Sequence, residues 1–382
     1  MTIEIKKLSS MNRTVSDLEV ANDRRFIMGA WEANIRKVVP YVAGEQPNKP
    51  NMVKLNTNEC PYPPAPAVEK VLDELDTDRF RLYPDPTAGA LVKAIADFYG
   101  VDEDMVFVGV GSDDVIANAF LTFFNSDKPV LFPDITYSFY PVWADLYKIP
   151  YETPKVGADF RIKAEDYYKE NGGIIFPNPN APTSICEPVS FIEDIVAHNQ
   201  NSVVMIDEAY IDFGGESALS LVNKYENLLV IQTFSKSRSM AGMRIGFAIG
   251  NKKLIQAMLD VKYSINSYTL NMPSIAAGVE AVNDREYFDK TRNMIMETRE
   301  RTKARLTELG FTFPDSKANF VFVTHDKYDM TDLFEYMRTK DVYVRHWNNP
   351  LIKDYLRITI GTDAEMDKMF EVIKQYMSEQ KA

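Results

Sequence analysis

Between about residues 83 and 250 the chain alternates short apolar runs with longer stretches whose apolar positions recur at helical spacing. Residues 87–99 predict a helix, 105–110 a strand and 113–124 a helix. The same reading gives a strand at 129–132, a helix at 137–146 and a strand at 173–176. It continues with a helix at 188–197 and strands at 203–206 and 228–233. Strands separated by helix-length segments build βαβ units, so the pattern predicts an α/β fold whose large domain has a mostly parallel sheet sandwiched by helices. Further on, 284–309 reads as one long charged helix. Strands at 319–323, 342–345 and 356–360, with helices at 330–339 and 363–378, predict a smaller α/β domain. The expected division is an N-terminal extension at 1–34, taken as mobile, then a segment at 35–54 joining the small domain. A large domain at 55–284 and a small one at 285–382 complete it.

In parallel sheets ligands bind beyond the C-terminal strand ends, and chemistry-bearing residues gather there. The run Leu228-Leu229-Val230-Ile231 leads into Thr233-Phe234-Ser235-Lys236, and Val203-Val204-Met205-Ile206 leads into Asp207-Glu208-Ala209-Tyr210. One amine, one carboxylate and one phenol can therefore converge. That trio suits a lysine forming a Schiff base with an electron-sink aldehyde such as pyridoxal phosphate. The Asp would face the ring nitrogen and the Tyr the ring oxygen. Ser235 and Arg244 are residue types that grip a phosphate. Taken singly, each has a plainer explanation: a solvated lysine, a turn cap, a core aromatic. Their joint placement outweighs it.

Gly109-Val110-Gly111-Ser112-Asp113-Asp114 follows a strand and opens a helix, where free N–H groups attract a phosphate. By itself this is no more than an N-cap. Asn178-Pro179-Asn180-Ala181-Pro182-Thr183 follows another strand, so Asn180 is a candidate donor to a ring oxygen, or part of a turn. Tyr137 is placed to stack on a cofactor ring, or is an aromatic at a helix start. Arg345 and Arg357 lie near strands and suit an anionic substrate, or are surface ion pairs of little energetic weight.

Composition narrows the classes. The 382 residues include 45% hydrophobic and 26% charged ones, ordinary for a globular protein of two domains. A net charge of −12 argues against nucleic acid or an anionic membrane surface as partner. Cys60 and Cys186 are too few for a disulfide framework and fit a reducing, cytoplasmic setting. His198, His325 and His346 show no metal spacing, so no metal is expected. No apolar run is long enough to span a membrane, and the N-terminus lacks a signal-peptide core.

The ordered set Asn56-Thr57-Asn58-Glu59-Cys60-Pro61-Tyr62, Tyr83-Pro84-Asp85-Pro86, Gly111-Ser112-Asp113-Asp114, Pro177 to Thr183, Asp207-Glu208-Ala209-Tyr210, Thr233-Phe234-Ser235-Lys236 and Leu356-Arg357-Ile358-Thr359-Ile360-Gly361-Thr362 resembles fold-type I, pyridoxal-phosphate-dependent aminotransferases, which share the architecture of aspartate aminotransferases. Within that family it is most similar to the histidinol-phosphate aminotransferases, from about residue 35 to the C-terminus. The resemblance implies Lys236 as Schiff-base lysine and proton shuttle, with Asp207 on the ring nitrogen and Tyr210 on the ring oxygen. Gly111, Ser112, Asp113, Ser235 and Arg244 would hold the phosphate and Tyr137 would stack. Tyr62 would reach the cofactor phosphate of a second subunit, which implies a homodimer. Tyr41, Asn319, Arg345 and Arg357 would contact substrate. The family's usual Asn-Asn-Pro-Thr-Gly departs here to Asn180-Ala181-Pro182-Thr183-Ser184, which leaves Asn180 as replacement for an asparagine expected at Ala181. An aromatic amino-acid aminotransferase, a threonine-phosphate decarboxylase and a non-catalytic pyridoxal-phosphate regulator are the competing readings.

Overall fold

The computed structural model describes residues 30–380. Residues 1–29 of the expected extension lie outside the described residues. Met1–Val39 and Pro40–Ala382 are separate units, and the elements that follow all belong to the second. Along the chain, β1 (Val53–Lys54) precedes α1 (Pro66–Asp73) and α2 (Gly89–Tyr99). Then come β2 (Val106–Gly109), α3 (Ser112–Phe123), β3 (Val130–Leu131), α4 (Tyr140–Tyr147) and β4 (Tyr151–Glu152). They are followed by β5 (Gly173–Pro177), α5 (Val189–His198), β6 (Val204–Asp207), β7 (Leu228–Thr233) and β8 (Gly246–Gly250). Next are α6 (Lys252–Ile265), α7 (Met272–Asn283), α8 (Arg285–Glu308) and β9 (Phe320–Val323). The chain ends in α9 (Met330–Thr339), β10 (Val342–Tyr343), β11 (Leu356–Thr359) and α10 (Asp363–Glu379).

The main sheet has the order β2-β8-β7-β6-β5-β3-β4. Strands β3 to β7 pair in parallel, and β8 runs antiparallel to both β7 and β2. Successive residues of the central strands enter different apolar clusters. Val204, Ile206, Leu228 and Val230 pack on one face, whereas Met205, Leu229 and Ile231 pack on the other. Burial on both faces is why these strands read as unbroken apolar runs. The reversed strand β8 was not legible as such, because the three apolar residues between Gly246 and Gly250 carry no sign of their direction. Its reversal has a consequence for the site. The C-terminal ends of β2, β6 and β7 and the first residue of β8 meet at one edge, with Gly246 in register with Gly109 and Thr233.

A third apolar cluster surrounds the antiparallel pair β9/β11, with Phe320, Val321, Leu356, Phe370 and Ile373 at its centre. Strand β1 pairs in parallel with β10. The single helix expected over 284–309 is α8, capped by the Asp284 side chain, which accepts from the Tyr287 N–H. The strand expected over 342–345 ends at Tyr343, but Arg345 forms an isolated antiparallel bridge with Arg357. Helix α4 starts at Tyr140, so Tyr137 lies in the preceding loop rather than in the helix. Among the described residues no helix is long and apolar enough to cross a membrane.

Candidate active site

A cavity of about 590 Å³ opens where these strand ends meet. Its anion-binding corner begins at α3. Gly111, in the left-handed region at φ +84°, caps that helix without a side-chain hydrogen bond, so first-turn N–H groups remain available. A Cβ at Gly246 would stand 2.3 Å from the Gly111 carbonyl carbon and the Ser112 nitrogen. A Cβ at Gly111 would stand 2.5 Å from a terminal nitrogen of Arg244. Only hydrogen at both positions lets β8, the helix start and the guanidinium approach this closely. Arg244 is exposed and 3.4 Å from Asp113 Oδ2, and its own backbone is left-handed at φ 55°. Ser235 is buried, its N–H donating to Thr233 Oγ1 at 3.1 Å. Gly111 itself stands behind the wall, while Ser112, Asp113, Ser235 and Arg244 line it.

At the end of β6, Asp207 is 5% exposed. Tyr140 donates to its Oδ2 at 2.9 Å and the Ala209 N–H to its Oδ1 at 3.2 Å. Burial nevertheless pushes the carboxyl up to about 6, against the effect of both hydrogen bonds. Lys236 is half-buried, and its Nζ donates to the Thr57 carbonyl at 3.0 Å. Burial first, then the positive charge of Arg357, brings the amine down to about 8; Glu59 and Asp113 oppose the shift. At about pH 8 half of this amine is neutral, against roughly 0.3% of an ordinary lysine. Tyr210 is buried, accepts from Asn58 Nδ2 at 3.0 Å and meets Phe320 edge-on at 5.0 Å. Burial raises its phenol, which keeps the proton.

Tyr137 donates to Asp113 Oδ1 at 2.9 Å, and burial and that carboxylate push its own titration far up. Tyr41 stacks on Phe139 at 4.4 Å and tilts toward Tyr137 at 6.5 Å. Across the cavity Arg345 and Arg357 exchange backbone hydrogen bonds of 3.0 and 2.9 Å. Arg357 donates to the Asn56 carbonyl at 2.8 Å, while its buried Nε has no partner. Burial first, and then the neighbouring Arg345, hold its titration below the usual arginine range.

Lys236, Asp207, Tyr210, Ser112, Asp113, Ser235, Arg244, Tyr137, Tyr41, Arg345 and Arg357 thus share one cavity. Besides Gly111, three sequence candidates do not line it. Asn180 donates its amide to the Ile135 carbonyl and Thr183 Oγ1, both at 3.0 Å, and Ala181 and Pro182 form the wall instead. Asn319, fully buried, donates to the Asn58 carbonyl at 3.1 Å and so supports the loop behind Tyr210. Tyr62 is half-buried against the β9/β11 cluster. Sequence reasoning gave no role to Tyr140, Trp347 or the loop 56–58. Only the loop left a signal, as part of the motif Asn56-Thr57-Asn58-Glu59, whose successive residues serve Arg357, Lys236 and Tyr210.

An α/β sheet with one reversed strand, and a lysine-bearing cavity at its strand ends, define the chain as a protein of fold type I. The aminotransferase class I and II family matches residues 50–373, and the chain belongs to that family. Over 348 residues it is 49% identical to the histidinol-phosphate aminotransferase of Lactococcus lactis subsp. cremoris, covering 91% of this chain and 98% of that one. Over 353 residues it is 50% identical to histidinol-phosphate aminotransferase 1 of Methylococcus capsulatus, covering 92% and 99%. The fold is similar to that of the Sinorhizobium meliloti histidinol-phosphate aminotransferase, solved in complex with pyridoxal-5'-phosphate. That comparison has a TM-score of 0.76 and 22% identity, and covers 84% of this chain and 91% of that one. The family resemblance and the fold class read from the sequence are both borne out.

Proposed function

We propose that the protein is a pyridoxal-phosphate-dependent aminotransferase that interconverts histidinol phosphate and 2-oxoglutarate with imidazole-acetol phosphate and glutamate, in two half-reactions. The observation that carries the chemistry is the convergence of a lysine amine brought down to about 8 and a buried carboxylate in one cavity. The choice of substrate draws on relatives of that name that are about half identical over nearly the whole chain.

The donor set fits the cofactor. A helix start without a side-chain cap, a serine and an arginine packed against hydrogen-only positions suit a phosphate. When bound, pyridoxal phosphate supplies an aldehyde carbon that takes up an amine and a ring that accepts the electron pair left by a departing α-proton. Ser112, Ser235 and Arg244 would hold the phosphate. Asp207, held by Tyr140 and the Ala209 N–H, would accept a hydrogen bond from the ring N–H. Tyr210, fixed by Asn58, would donate to the ring oxygen, and Tyr137 would stack on the ring. Lys236 Nζ would take the proton from the substrate α-carbon and hold it for return on the cofactor side of the shared nitrogen, a task suited to an amine titrating near working pH. Tyr41, Arg345 and Arg357 hold the substrate. Asn319 acts through Asn58 rather than by direct contact, and Asn180 through the turn that presents Ala181.

The reading includes a homodimer in which Tyr62 reaches the cofactor phosphate of the second subunit. It assigns 55–284 to cofactor binding and 285–382 to a smaller domain. Two measurements test it. Turnover with histidinol phosphate should exceed turnover with phenylalanine, each with 2-oxoglutarate, and a preference for phenylalanine would overturn the substrate. Lys236→Ala should abolish both activities and the visible absorbance of lysine-bound pyridoxal; retention of that absorbance would overturn the role of Lys236.

A further inference from the structure

Arg345 and Arg357 lie directly opposite each other and exchange both backbone hydrogen bonds, so their side chains leave the same face of the strand pair. Two like charges so placed repel. No carboxylate is among the groups acting most strongly on Arg357, which are Tyr210, Arg345, Tyr41 and Tyr137. What does lie close to both guanidiniums is an indole. The Trp347 ring centroid is 5.3 Å from the guanidinium carbon of Arg345 and 5.3 Å from that of Arg357. Trp347 follows Arg345 by two residues, the spacing that returns a side chain to the same side of an extended segment. It also packs against the small apolar cluster of Ile135, Phe322 and Ile352. That cluster is tightened by Tyr355, which stacks on Phe322 at 4.6 Å. The indole is thus fixed from behind and offers its electron-rich face to two cations.

We propose that Trp347 is a positioning residue that presets Arg345 and Arg357 for a phosphate monoester and thereby sets the preference of the site for a phosphorylated substrate. The inference deepens the functional reading above and rests on it. Two guanidiniums held side by side carry two positive charges, which a phosphate monoester dianion balances and a single carboxylate leaves half uncompensated. The buried Nε of Arg357, without a partner, supplies a donor that such an anion can meet. With the indole removed, repulsion spreads the arginines, and the anion must reorder them on binding. The effect therefore falls on binding rather than on the proton transfer at Lys236.

The test uses the holoenzyme and the variants Trp347→Leu and Trp347→Phe. For Trp347→Leu, KM for histidinol phosphate should rise about tenfold, the loss expected for cation–π contacts at a partly desolvated site. Its kcat should stay within about twofold, and KM for 2-oxoglutarate within about threefold. Trp347→Phe, which keeps a ring face, should recover most of the loss. As a binding readout, inorganic phosphate titrated into the wild-type holoenzyme should change a component of tryptophan fluorescence that Trp347→Phe lacks, whereas acetate at equal ionic strength should not. Equal KM changes for both substrates, a fall in kcat with KM unchanged, or identical fluorescence responses in wild type and Trp347→Phe would overturn the proposal. An enzyme that turns over phenylalanine but not histidinol phosphate sinks the functional reading, and the phosphate titration then still judges Trp347. Turnover of histidinol phosphate with Trp347→Leu unaffected sinks the inference about Trp347 alone.

Discussion

Asp207→Asn tests whether the fold holds a charge against its own interest. Asn is nearly isosteric, its oxygen can accept from the Ala209 N–H, and its amide can donate to the Tyr140 hydroxyl, so packing and hydrogen bonding survive. The ionised state does not. The carboxyl is pushed from 3.8 to about 6 by burial. Because the folded-state value is the higher one, the folded protein holds a proton between about pH 4 and pH 6 that the unfolded chain has shed. Wild-type stability therefore falls as pH rises through that window, and the full cost is present above it. A shift of roughly two units corresponds to about 3 kcal/mol at 1.36 kcal/mol per unit. Stripped of ligand, the Asp207→Asn variant should thus unfold at higher urea concentration than wild type, with a gain of about 1–3 kcal/mol near pH 8 that shrinks toward zero near pH 4. Equilibrium urea unfolding followed by circular dichroism at a series of pH values measures it. Added pyridoxal phosphate should reverse the order, because a ligand that binds only the folded wild type tightly stabilises it by mass action. A variant that is less stable than wild type at pH 8, or a gain independent of pH, would refute the claim that Asp207 is an uncompensated buried charge awaiting a cationic partner.

Other substitutions probe the neighbours. Tyr140→Phe removes one donor from the same carboxylate and should cost about 1–3 kcal/mol above pH 6, and less near pH 4 where the acid is neutral; the same unfolding series checks it. Lys236→Met removes an amine whose folded value, about 8, lies below that of the unfolded chain, so its charged form opposes folding. The variant should gain about 2–3 kcal/mol at neutral pH, and the gain should fade as pH rises from about 8 toward 10.5, which thermal unfolding across that range would follow. Gly246→Ala places a Cβ 2.3 Å from backbone atoms of Gly111 and Ser112, which cannot yield as a flexible side chain would. It should cost about 3 kcal/mol or more and weaken pyridoxal phosphate binding measured by absorbance titration.

Much of the fold and part of the site are legible in the sequence, for reasons that differ from residue to residue. Strands β5, β6 and β7 announce themselves because both their faces are buried, and their C-terminal ends identify Asp207, Tyr210 and Lys236 by position alone. The turn after β5 shows the limit. Adjacent Asn180 and Ala181 are equally placed by sequence, yet the asparagine amide is used on the Ile135 carbonyl and the alanine faces the cavity, a choice made by a contact 45 residues away. Tyr140 escaped for the same reason, being 67 residues from the carboxylate it holds. The loop 56–58 escaped for another. Its motif served only as a mark of the family resemblance, and Asn56 and Thr57 act through carbonyl oxygens, which every residue type possesses. What the sequence specifies there is a path: Asn58 takes the left-handed conformation at φ 55°, and its amide and backbone are tied to Tyr210, Thr359 and Asn319. With that residue pinned, the two carbonyls before it are aimed at an arginine and a lysine that enter from β11 and from the end of β7. Asn58 and Asn319 therefore matter as supports of a backbone, which explains why a residue expected to touch substrate lies beneath the site instead.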